Sequence, residues 1–310
     1  MTTLRLLADS YFDGSLHHPA TDGPYLITIA SGRIAAIEAR AAAAPFDRRA
    51  TFVMPGLVEA HAHLFLDGGD LDFDRRNAYL NASKDEMLKV ARENIARNAA
   101  AGVTLVRDAG DRYGVNDAIR DEQRGSSVAV RSPGLGIKRP KRYGGFMARE
   151  IEAGGDVASV VADMAATADD IKIILTGIID FAAGEVKGAP QFDEGELRAI
   201  VQTAHVHGKK TFAHCSGLDG LKVAVAAGVD SIEHGFFMTP QILDVMAEKG
   251  IAWVPTVSPV HFQWARPEIA GWDVSTIGNL RRILDGHAEH IALAHRKGVE
   301  LVAGSDAGSP

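Results

Sequence analysis

A chain of 310 residues can bury a sizeable core, and a (β/α)8 barrel of about 250 residues would fit inside it. Its composition, 46% hydrophobic and 24% charged, is ordinary for a globular enzyme, while a net charge of −7 argues against a nucleic-acid or anionic-membrane surface. The single cysteine, Cys215, excludes an intrachain disulfide and a sulfur-based zinc site.

The first residues lack the basic start and long apolar stretch of a leader. No run reaches the roughly 18 apolar residues of a membrane span, so a cytoplasmic protein is expected. Residues 1–54 read as a small β layer: apolar or alternating runs at Leu4–Ala8, Tyr25–Ala30 and Arg33–Glu38 are broken by Asp22-Gly23-Pro24 and Ser31-Gly32. Residues 55–310 then alternate strand and helix. Ser83 and Glu86 form a capping-box pattern for a helix to Ala101, stopped by Gly102. Strand Val103–Arg107, a short helix at Val115–Arg124 and strand Val128–Arg131 follow. Next come helix Asp156–Ala168, strand Ile171–Leu175, helix Glu194–Val206 and strand Lys210–Ala213. Helix Leu218–Ala227, strand Ser231–Glu233, helix Pro240–Lys249 and strand Ile251–Val254 continue the alternation. Helix Ile277–Lys297 and strand Glu300–Ala303 complete it. Short strands separated by helices predict a parallel sheet, and eight of them favour a closed α/β barrel over an open sheet. The chain stops four residues after Asp306 with no eighth helix, which raises the expectation of a fragment or of a part supplied elsewhere.

Chemistry concentrates at strand ends, where a parallel barrel places its active site. In Pro55-Gly56-Leu57-Val58-Glu59-Ala60-His61-Ala62-His63 the two histidines are at i and i+2, on one face of a strand. Two imidazoles on one face suit a divalent metal, although H-x-H alone is short enough to arise by chance. His214 ends strand 5, His234 ends strand 6, and Asp306 follows strand 8. Lys172 lies within the short apolar strand 4: it either snorkels to a sheet end or is desolvated, with a lowered pKa and a neutral amine able to add carbon dioxide.

These motifs, together with Thr104-Leu105-Val106-Arg107-Asp108, Ile171-Lys172-Ile173, Ser231-Ile232-Glu233-His234-Gly235 and Gly304-Ser305-Asp306, resemble the amidohydrolase superfamily, most closely its imidazolonepropionase-like and prolidase-like branch. The resemblance implies a TIM-like barrel with a flanking β-sandwich made from both chain ends, of which this chain carries the N-terminal part. It also implies that His61, His63 and Asp306 hold the more buried metal and that His214 and His234 hold a second. Carbamylated Lys172 would bridge the two. Zinc suits imidazole and carboxylate ligands, so two zinc ions per chain are expected. A hydroxide between them would be the nucleophile, and Asp306 would move the proton to the leaving amine. Glu59 and Glu233 are candidates for orienting the ligand histidines, with solvated or capping roles as the alternative.

The loop Arg131–Phe146 is rich in cations. Arg139 and Arg142 are candidates for a substrate carboxylate and Tyr143 for a substrate hydrogen bond, against a solvated basic loop. His261 follows strand 7 on the mouth side and is a further substrate candidate, whereas His205, His207, His287, His290 and His295 read as structural. Relatives often have Gly-Gly-His where this chain has Gly144-Gly145-Phe146, so a substrate preference is not carried over. The expectation is metal-dependent hydrolysis of a C–N bond, in an N-acyl amino acid or dipeptide. A one-metal cyclic amidase or deaminase and an inactive scaffold are the alternatives. A small-molecule substrate is the expected partner, with no nucleic acid or membrane, and a homo-oligomer is left open.

Overall fold

A computed structural model describes residues 3–68 and 72–308. The chain divides into one unit ending at Leu57 and another starting at Val58. The first is a five-stranded sheet of β1 (Thr3–Phe12), β2 (His17–His18), β3 (Tyr25–Ala30), β4 (Arg33–Glu38) and β5 (Arg48–Val53). β3 pairs antiparallel with both β1 and β4, while β5 runs parallel to β1. Ser31 and Gly32 both have positive φ, the primed turn that matches the twist of a two-residue hairpin. β5 escapes a sequence reading because it is an edge strand opening on Arg48 and Arg49, without an apolar run.

The second unit takes in β6 (Leu57–Ala62) from its second residue on, then α1 (Phe73–Tyr79), α2 (Lys84–Ala100), β7 (Val103–Asp108), α3 (Val115–Glu122), β8 (Ala129–Arg131), β9 (Gly136–Lys138) and β10 (Ala148–Glu150). It continues with α4 (Val157–Ala165), β11 (Ile171–Ile174), the hairpin β12 (Ile179–Asp180) and β13 (Glu185–Val186), α5 (Glu194–Val206) and β14 (Thr211–Cys215). The last elements are α6 (Leu218–Ala227), β15 (Ser231–His234), α7 (Pro240–Lys249), β16 (Ala252–Val254), α8 (Ser258–Ala265), α9 (Pro267–Ala270) and α10 (Val274–Lys297).

Two sheets, β6-β7-β8 and β10-β9-β11-β14-β15-β16, form the barrel wall. The third barrel strand breaks into β8 and β9 at Pro133-Gly134, where Gly134 adopts a positive φ. Residues 300–307 close the ring through backbone hydrogen bonds. Trp253 N–H donates to Glu300 O, Val302 N–H to Trp253 O, Ala60 N–H to Ala303 O and Asp306 N–H to His61 O. This eighth position is held by isolated bridges rather than by the continuous strand expected at Glu300–Ala303.

Strand alternation sorts the side chains. Ile171, Ile173, Ala213 and Ile232 face the helices and share one core with Leu197, Leu221, Leu243 and Met246. The neighbouring residues Lys172, Phe212 and Glu233 are buried outside that cluster, inside the barrel. The capping box of α2 forms as expected, and Asp193 with Glu196 builds a second one at α5. α10 starts at Val274 rather than Ile277, because Asp273 accepts the Thr276 N–H and sets the boundary.

Candidate metal centre

His61 and His63 project from the end of β6 and its extension, with ring centroids 5.7 Å apart. The ring of His234, at the end of β15, lies 4.9 Å from that of His61 and 4.5 Å from that of His214 on β14. Asp306 completes the group: its Oδ1 is 3.7 Å from His61 Nε2 and 3.5 Å from His63 Nε2, and its Oδ2 is 3.7 Å from His234 Nδ1. His234 and Asp306 have φ of 67° and 57°, a left-handed conformation uncommon outside glycine and concentrated at functional sites. Lys172 Nζ sits 4.8 Å from the centre of the Phe212 ring, buried in the barrel.

Two of the ligand candidates, His61 and His234, are oriented from behind. Glu233, fully buried, accepts from His61 Nδ1 at 2.6 Å. Its other oxygen is held by Arg107 Nη2 and Ser231 Oγ, both at 2.7 Å. That bond places the His61 proton on Nδ1 and leaves the Nε2 lone pair facing Asp306. Glu59 orients backbone rather than a ring, accepting the N–H groups of His61 and Ser305 and thereby tying β6 to the closing segment. Arg107 pairs with Glu233, not with Asp108, whose carboxylate accepts the Leu64 and Gly110 N–H groups. Thr256 Oγ1 is 2.6 Å from His234 Nδ1, and Trp253 Nε1–H donates to the His234 carbonyl.

Burial governs the electrostatics. It lowers His63 and His214 to about 3 and takes His61 and His234 well below the usual imidazole range, so all four rings are neutral near pH 7. It lowers Lys172 to about 8 and raises Asp306 well above a normal carboxyl. His61 Nε2 and Asp306 Oδ1 are buried with no hydrogen-bond partner among the described residues. Such orphaned polar atoms are costly unless something else meets them. Ligand atoms of His61, His234 and Asp306 all lie within 4.8 Å of one another. Neutral imidazoles beside a carboxylate are a donor set for a borderline divalent ion, so the residues fit a metal. The tightest trio takes His61 and Asp306 from one expected ligand group and His234 from the other.

The cluster opens onto a cavity of about 590 Å³ lined by His214, His234, Asp306 and Tyr143 among others. Three expected substrate contacts are not on its wall. Arg139 is turned into the protein, where it meets Glu196 and the carbonyls of Ile151, Glu152 and Gln191 and covers the Phe192 ring. Arg142 reaches the Ala189 carbonyl. His261 is exposed on α8, whose neighbouring residues Val260 and Gln263 take the cavity side. Tyr143 does line the cavity, with its ring 5.0 Å from His214, and its phenol is raised by burial. The cations lining it are Arg76 of α1 and Lys187, both outside the sequence reading. Thr256 was within reach of that reading, since it follows β16 where barrel strands end; Arg76 and Lys187 carried no such signal.

The model of the Amidohydrolase family matches residues 52–310. An uncharacterized protein of Mycobacterium tuberculosis is 30% identical over 285 residues, covering 91% of this chain and 70% of that one. Among solved structures, a Xaa-Pro dipeptidase with bound methionine superposes with a TM-score of 0.77 at 23% identity, over 99% of this chain and 80% of that one. Aspergillus niger ochratoxinase superposes with a TM-score of 0.77 at 20% identity, over 99% of this chain and 77% of that one. At these identities the two structures show the fold: an α/β, TIM-like barrel.

Proposed function

The chain belongs to the amidohydrolase family, hydrolases of carbon–nitrogen bonds, and we propose that its substrate is an amide, an N-acyl amino acid or a dipeptide, cleaved at the His–Asp cluster. One observation carries the reading: His61 Nε2 and Asp306 Oδ1 face each other, buried and without partners among the described residues, and Asp306 lines a cavity large enough for such a substrate. The Xaa-Pro dipeptidase and ochratoxinase among the similar structures support a hydrolase of this kind.

In this reading His61, His63 and Asp306 would hold one divalent ion and His214 and His234 a second, with Lys172, once carbamylated, as a further ligand. Burial favours the neutral Lys172 amine, which adds carbon dioxide and releases a proton to form that carbamate. Zinc suits the donors, and bound ions of this type lower the pKa of water towards 7 and polarise a carbonyl. Asp306 takes the proton of the attacking water and returns it to the leaving nitrogen. Glu233 is committed to His61 and Arg107, so it holds the ring still rather than exchanging protons. The Tyr143 phenol, kept protonated by burial, donates to the substrate carbonyl oxygen. Arg76 and Lys187, the latter paired with Asp180, are the candidates on the cavity wall for meeting a carboxylate end.

A one-ion site in which His234 contacts only substrate is disfavoured by the position of His234 within the tightest ligand cluster. Elemental analysis of purified protein, alongside hydrolysis of N-acyl amino acids and dipeptides, tests the reading. About two ions per chain with amide turnover is the expected result. One ion per chain with turnover of cyclic amides alone would replace it with the one-ion site.

A further inference from the structure

The same cavity also has an apolar wall with its own chemistry. Phe236 and Val260 belong to a small buried apolar cluster against which Ile179, Phe181 and Trp272 pack, and all five line the cavity. The Phe181 and Trp272 rings meet edge to face at 5.9 Å. The β12–β13 connection that carries Phe181 is pinned to α10, because Asn279 Nδ2 donates to the carbonyls of Phe181 and Ala182 at 3.0 and 2.8 Å. Phe236 is backed by the His287 ring, stacked at 3.9 Å. The wall is therefore built and supported.

Beside these apolar groups lies a buried polar side chain, Gln263, only 7% exposed. Its Oε1 accepts the Trp272 indole N–H at 2.9 Å. An indole N–H can only donate, so this bond fixes which end of the amide faces Trp272. The Nε2 amino group is thereby turned to the other side and makes no hydrogen bond to any described residue. Gln263 lines the cavity, where an acceptor on a ligand can take the place of water at that amino group. Flat aromatic walls select a flat apolar group, and a fixed donor among them selects an acceptor on its rim.

We infer that this wall of the cavity is a specificity subsite for an aromatic group carrying a hydrogen-bond acceptor, such as an ether or carbonyl oxygen, with Gln263 Nε2 as its donor. The inference rests on the hydrolase reading for the rest of the substrate: the scissile amide lies at the His–Asp cluster and the aromatic group lies at this apolar wall.

The test compares N-acetylglycine with two aromatic pairs, one on each side of the amide. The pairs are N-acetylphenylalanine with its O-methyltyrosine counterpart, and phenylacetylglycine with 4-methoxyphenylacetylglycine. For the metal-loaded protein, one pair is expected to exceed N-acetylglycine at least tenfold in kcat/KM, with the methoxy member favoured about fivefold, mainly through KM. Gln263→Glu keeps an acceptor for Trp272 but removes the donor, and it should bring the methoxy-to-phenyl ratio to one or below. Trp272→Ala should lower the aromatic-to-acetyl ratio. Binding of 4-methoxyphenylacetate and phenylacetate, by calorimetry, reads the subsite without turnover. If no amide is cleaved while the methoxy acid still binds more tightly in a Gln263-dependent way, the hydrolase reading fails and the subsite stands. Aromatic substrates no better than N-acetylglycine overturn the proposal, as does a methoxy preference, in turnover or binding, that survives Gln263→Glu.

Discussion

Glu233 Oε2 lies 2.6 Å from His61 Nδ1, in a fully buried pair whose carboxylate is also gripped by Arg107 and Ser231. Residues 172 positions apart thus set the tautomer of one ring. Replacing Glu233 with Gln leaves one amide that cannot accept from both His61 and Arg107. Metal affinity should fall about 10- to 100-fold, as for other partners that orient ligand histidines. Competition with a chelator of known affinity measures this, and an unchanged affinity would separate His61 orientation from Glu233.

Asp306 and Lys172 are expected to be indispensable, Asp306 as proton carrier and metal ligand and Lys172 as a ligand once carbamylated. Asp306→Asn should reduce kcat by at least a thousandfold with modest change in KM. Lys172→Ala should lower metal content as well as turnover. Activity within tenfold of wild type in either variant contradicts the proposed roles.

His287 offers a pH test at a ring that is not itself a ligand candidate. Its ring is buried between Phe236 and Trp253, and neither nitrogen has a partner among the described residues. Burial, reinforced by His290, lowers it from 6.5 to about 3. Below pH 6.5 the unfolded chain therefore binds a proton that the folded chain refuses, so this stability is complete above 6.5 and is lost as pH falls towards 3. By pH 5 the loss is roughly 2 kcal/mol. His287→Phe keeps the stack, and in urea unfolding its stability relative to wild type should improve by about that amount between pH 7 and pH 5. An equal pH response in the two proteins would show that the ring is solvated.

Gly235 has a φ of 65°, and a Cβ there would strike Trp253 Nε1, the atom that holds the His234 carbonyl. Gly235→Ala should destabilise the fold by about 1–3 kcal/mol and displace His234. Thermal unfolding reads the first effect and metal content the second. A variant with unaltered Tm and metal content would mean that the Trp253–His234 bond positions nothing.

Much of the centre was legible because strand alternation is local. His61 and His63 share a face whatever the rest of the chain does, and apolar neighbours such as Ile171 and Ile173 turn Lys172 inward. The helices were legible from caps and periodicity, and α2 and α7 follow them closely. The loops were not. Arg139 read as a free cation, but Glu196, 57 residues on, and three carbonyls draw it into the protein. Nothing within the loop records that competition.

By itself, then, the sequence determined the α/β alternation, the family pattern and the side chains placed at the strand ends, since all of these depend on neighbours a few residues away. Tertiary structure alone decided which atoms meet: Glu233 behind His61, Thr256 beside His234, and Gln263 turned by Trp272. Such pairings depend on the register of closure and the paths of α1, the β12–β13 hairpin and α8. Those are set by burial and hydrogen bonding over the whole barrel rather than by any local spacing.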